Sequence, residues 1–164
     1  MPTRDLANDV NIVRIAGPGR TQGPNAITVD ADQTVDLVGY QSATLVGMVG
    51  DVRDADGDRD VTFDVLYSDE ASSGFEAIDS RYLIGQDSAS VTFEGNGTNP
   101  NGTRNRAVKW GYKGPKRYLR MRMRVNGGGD NQDRMDYAML CIGGHPAHAP
   151  VGFELDDENE DHRS

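Results

Sequence analysis

Five carboxylates fall within ten residues: Asp51, Asp54, Asp56, Asp58 and Asp60. Clustered carboxylate oxygens are the ligands a hard cation such as calcium takes. The helix–loop–helix calcium pattern does not fit them, however. Setting Gly57 at that loop's glycine puts Val52 at the first ligand position and Phe63 at the bidentate one. Asp56-Gly57 suits the tip of a hairpin, so a structural turn is the favoured reading and calcium the alternative. His145 and His148 lie three apart in GHPAH, too few for zinc, and Pro146 and Pro150 mark an extended segment that docks on another surface. The single cysteine, Cys141, sits in the apolar run YAMLCIGG and reads as a small buried hydrophobe. No GxSxG elbow, phosphate loop or dinucleotide glycine pattern occurs, since GPGRTQG lacks the lysine. The expectation is therefore a non-enzyme with no metal and no cofactor.

A different chemistry is offered by GYKGPKRYLRMRMRVNGGG, residues 111–129. Leu119, Met121, Met123 and Val125 alternate with Tyr118, Arg120, Arg122 and Arg124. A period of two sends these sets to opposite faces of a strand, one apolar and one carrying a row of guanidinium groups. Such a row is either paired with carboxylates of its own sheet or docked on an acidic partner. Asp64, Asp136 and the acidic C-terminus are the internal candidates. The spacing predicts a mixture, with at least one arginine paired internally and the rest facing a partner. Tyr118, Arg120, Arg122, Arg124, His145 and His148 are the candidate partner-binding residues.

The elements that would carry this row are short strands between turn signals. They are predicted over Val10–Ile15 (ended by Gly17-Pro18-Gly19), 27–30, 33–38, Ser42–Val49, Val61–Tyr67, Phe75–Ile78, Tyr82–Ile84, Ala89–Phe93, Ala107–Tyr112, the basic strand and Tyr137–Ile142. Counting the weaker pieces together, that makes eight or nine strands and no amphipathic helix. The pattern predicts an all-β antiparallel sandwich, with a jelly roll as one form it can take. One domain spans residues 1–152, residues 1–9 and 143–153 form extended arms, and 153–164 form an acidic flexible tail outside the core.

The 164 residues suffice for one domain with a real core. The formal net charge is −9. Glu154–Ser164 hold six carboxylates and one arginine, so they contribute −5 and leave −4 elsewhere. A net negative chain argues against a general nucleic-acid binder. No run approaches the roughly 18 apolar residues of a membrane span. The opening MPTRDLANDV lacks a signal-peptide core, so the NGT triplets at Asn96 and Asn101 carry no weight as glycosylation acceptors. These features point to a protein made, or assembled, in a cytosol.

Several stretches, in order and spacing, resemble small structural proteins of tailed bacteriophages, the head decoration or cement proteins. They are DLANDVNIVRIAGP (5–18), VDLVGYQSATLVGMVGD (35–51), FDVLYSDEASSGFEAID (63–79), YLIG (82–85), GYKGPKRYLRMRMRV (111–125) and GGHPAHAPV (143–151). The acidic turn at 51–60 and the tail after Phe153 depart from that family's pattern. The resemblance implies a β-sandwich virion component without enzymatic activity. It would bind the outside of the major capsid lattice beside further copies of itself, as a homo-oligomer assembled in the host cytoplasm. It implies no nucleic-acid or membrane partner. A tail or head–tail connector component is one alternative. A carbohydrate-binding sandwich using Trp110, Tyr112 and Tyr118 is another.

Overall fold

The computed structural model describes residues 10–23, 25–53, 59–95, 103–127 and 131–146, with the backbone alone at 145 and 146. They form strands β1 (Val10–Gln22), β2 (Ile27–Val29), β3 (Val35–Asp36), β4 (Tyr40–Arg53), β5 (Asp60–Ser68), β6 (Glu76–Ala77), β7 (Leu83–Ile84), β8 (Ser90–Phe93), β9 (Arg106–Tyr112), β10 (Tyr118–Asn126) and β11 (Arg134–Pro146). The one helical element among them is a single 3-10 turn at Ser80–Tyr82.

The strands make two antiparallel sheets. The first has the order β1-β11-β4-β9-β7. In the second, β10 and β5 lie side by side; β2 and β3 pair the free edge of β10, and β6 and β8 that of β5. The protein is thus an all-β sandwich, as the alternating sequence predicts. Val61, Phe63 and Val65 of β5 and Leu119, Met121, Met123 and Val125 of β10 are all fully buried. They meet Leu45, Trp110, Met139 and Cys141 of the other sheet in one core. Gly47 fixes how closely the sheets approach there. A Cβ on it would lie 2.7 Å from Phe63 Cδ1, so the phenyl ring occupies the space that the missing side chain leaves.

The strands run longer than their most apolar residues indicate. The first does not end at Gly17-Pro18-Gly19. It crosses them with register shifts at Arg14/Ala16 and Ala16/Gly19 and pairs Gln22 with Arg134. Gly and Pro are tolerated because they sit at bulges of an edge strand. The last strand likewise runs on through Gly143 and Gly144 to Pro146, which pairs with Tyr40, so the extended exit begins as part of the sheet. In contrast, the stretch 33–38 contributes only the two residues of β3. Residues 1–9, 54–58, 96–102 and 147–164 lie outside the described set. The N-terminal arm, three of the clustered aspartates, His148 and the acidic tail lie there.

Candidate partner-binding face

The outward face of the second sheet carries the arginine row. Register pairs Arg122 with Asp64 and Arg124 with Thr62 across β10 and β5. Arg124 grips Asp64 with both arms of its fork, Nε donating to Oδ2 at 2.8 Å and Nη2 to Oδ1 at 2.9 Å. Arg122 Nε donates to the same Oδ2 at 3.2 Å, and the Ser90 hydroxyl, from β8, donates to Oδ1. The Asp64 side chain is only 9% exposed, whereas those of Arg122 and Arg124 are 37% and 43% exposed. Burial is the largest single influence on the Asp64 carboxyl and pushes its pKa up. Hydrogen bonds from Arg124, Ser90 and Arg122, with the charge of Arg124, outweigh it and hold the group below its ordinary value.

Arg120 is anchored differently. Its Nε donates to Thr34 Oγ1 at 2.7 Å and its Nη2 to the Ala71 carbonyl at 3.3 Å. The guanidinium lies 4.1 Å from the centroid of the Phe75 ring. Thr34 Oγ1 also donates to Ala71 O at 3.1 Å, tying the loop before β3 to the loop after β5. Tyr118 continues the row and is overlain by Arg117, 5.0 Å from its ring, which in turn forms a two-armed pair with Asp36 at 2.7 and 2.6 Å. Every member of the row is therefore held in place before any partner arrives. The charge nevertheless does not cancel: Arg120, Arg122 and Arg124 supply three positive charges, and among the described residues Asp64 is the one carboxylate bonded to them, leaving +2.

Of the internal candidates, Asp64 takes two arginines. Asp136 belongs to the other sheet, where Arg20 binds it through two hydrogen bonds of 2.5 and 2.9 Å. The acidic tail lies outside the described residues. The backbone of His145 lies in β11, on the other sheet, so the structure does not bring it to the arginine row. Asp51 pairs with Arg104 at 2.7 Å, and Asp60 accepts the Gly95 amide at 3.0 Å. Among the described residues, no three His, Cys, Asp or Glu side chains come together as a metal site. Cys141 is fully buried, and burial pushes its thiol up to about 12, which leaves it protonated at neutral pH. Trp110 and Tyr112 are buried too, Trp110 Nε1 donating to the Ser88 carbonyl at 2.8 Å, so neither presents a ring for a sugar to stack on.

One surface went unread in the sequence. On the outward face of the first sheet, Ile12, Ile142, Thr44 and Ile84 lie in one row across β1, β11, β4 and, by way of Gly111, β7. Arg14, Leu140, Val46 and Lys109 form the next row, and Ala138, Met48 and Ala107 the third. Ile12 and Ile84 are 66% and 56% exposed. The signal was present: SATLVGMV and YAMLCIGG are apolar at successive positions, as strands covered on both faces are. No helix of the described residues is long and apolar enough to cross a membrane. No protein-family model matches the chain, and no curated protein matches it either.

Proposed function

We propose that this chain is a non-enzymatic virion structural protein, a decoration protein that binds the outer surface of a tailed-phage capsid lattice and stabilises the head. The observation that carries the reading is the arginine row: a pre-ordered strip of net +2 on a protein of net −9. Side chains already fixed by Asp64, Thr34 and Phe75 lose little further freedom on docking, which favours association with an acidic surface. The row lies on the flat face of a strand in a rigid sandwich, a geometry suited to covering a shell. The sequence resemblance to decoration proteins points the same way. The partners are then the major capsid protein and neighbouring copies, met at the capsid surface after assembly in the host cytoplasm. Purified protein mixed with preformed, undecorated heads tests this: it should co-sediment to saturation with heads and not with isolated tails. Saturable binding to tails alone would replace the reading with a tail component.

A further inference from the structure

We infer that the apolar outward face of the five-stranded sheet is covered by this chain's own C-terminal segment, Val151–Leu155, folded back over β11. The segment fits by composition. The large apolar side chains outside the described residues are Met1, Leu6, Val151, Phe153 and Leu155, and three of these five alternate within residues 151–155. An extended segment of that pattern directs all three to one side.

It also fits by reach. β11 ends at Pro146, beside Tyr40, at the edge nearest the row of Ile12, Ile142 and Thr44. The five residues from Pro146 to Val151 span at most about 17 Å, and the row of Ile142 lies about 13 Å back along the strand. Val151 then lands on that row, Phe153 on Leu140 and Val46, and Leu155 at Met48 and Ala138. Met48, Ala138, Ala107 and Pro18 line an open groove of about 420 Å³, deep enough for a leucine side chain.

Charge fits as well. Beyond that groove the outward rim carries, among the described residues, Arg20, Arg53, Arg104 and Arg134 around Asp51 and Asp136, four positive charges against two negative. The residues following Leu155 are Asp156, Asp157 and Glu158. Continuing in the same direction at about 3.3 Å per residue, they arrive at this rim. A second copy stacked on the same face fits less well. The patch is roughly 20 by 15 Å, on the order of 300 Å², against about 800 Å² per partner for a stable interface. Such stacking would also bring two Lys109 side chains onto one small apolar patch. A tethered segment meets the face at an effective concentration in the millimolar range, ahead of any free partner. This inference does not depend on the capsid reading, and isolated protein suffices to test it.

The experiment is disulfide trapping. Met48→Cys with Leu155→Cys, in the full chain under mild oxidation, should form an intrachain link at monomer mass. Thr92→Cys on the other sheet, combined with Leu155→Cys, should stay reduced. Met48 is half-exposed and Thr92 exposed, and native Cys141 is buried out of reach. Neutralising Asp156, Asp157 and Glu158 to Asn, Asn and Gln should slow the link, as should high salt. Failure of the first pair to link, equal linking of both pairs, or a link joining two chains would overturn the inference. The last outcome would assign the face to a neighbouring copy's segment.

Discussion

Asp64 and Arg124 sit on neighbouring strands, two residues out of register, and meet through two parallel hydrogen bonds of 2.8 and 2.9 Å. A second arginine, Arg122, shares the same carboxylate at 3.2 Å. This cluster makes Asp64 the organiser of the basic face: the β5 carboxylate sets where the β10 guanidinium groups point. Asp64→Asn should lower unfolding free energy at neutral pH by roughly 1.5–3 kcal/mol, the range for hydrogen bonds to charged groups. Denaturant titration measures it.

The same carboxylate links stability to pH. Its folded-state pKa is depressed relative to the ordinary value of about 3.9. Its stabilising contribution is therefore fully present above about pH 4 and is lost as pH falls through the lowered folded-state value. Asp36 and Asp136 act in the same direction, each held down chiefly by its hydrogen bonds from Arg117 and Arg20. Wild-type protein should lose stability below about pH 4 more steeply than Asp64→Asn, so the two denaturation midpoints converge in acid. A constant gap between them from neutral pH down through the acid range would contradict this assignment.

Gly47 and Phe63 make a packing prediction. Gly47→Ala places a methyl 2.7 Å from the Phe63 ring in a sealed core and should cost about 1–3 kcal/mol. Adding Phe63→Leu should return part of that loss, because the double variant removes the collision. Additive destabilisation would show that the two positions are uncoupled.

At one end of the sandwich, Arg59 and Asp133 are both fully buried, 3.9 Å apart, and Arg59 also donates to the Gly23 carbonyl. Gly23 N–H donates in turn to Asp133 O at 3.0 Å, so the pair joins the ends of three loops. Arg59→Ala should destabilise by about 3–5 kcal/mol, because it removes one member of a buried ion pair and leaves the volume of its side chain empty. Arg59→Met with Asp133→Leu should be markedly more stable than Arg59→Ala alone. Thermal unfolding of the three proteins checks the order.

Much of this architecture was legible. Strict alternation at 61–67 and 118–125 located the two central strands of one sheet, and each alternating set lies on the face its pattern assigns. Asp64 is legible as a partner because it is the carboxylate within the β5 alternation, on the polar side. Strand ends were less legible. Gly17-Pro18 reads as a terminator when only local propensity is considered, yet bulges carry β1 past it. Asp51–Arg53 and Arg134–Asp136 extend β4 and β11 with charged residues, which alternation of apolar groups does not reveal. The apolar outward face was hidden for another reason. A doubly apolar strand points to cover on both sides, but it does not say what would cover the second.

The most direct test of the capsid reading leaves the Asp64–Arg124 pair intact and removes the surplus charge. Arg120→Gln with Arg122→Gln brings the row from +2 to zero without stranding the buried carboxylate. In a binding assay on preformed heads across a range of salt, the double variant should bind more weakly than wild type. Its affinity should also vary less with salt, while its melting curve still shows a cooperative fold. A folded double variant that binds heads with unchanged affinity and unchanged salt dependence would contradict the account and remove the arginine row from the docking surface.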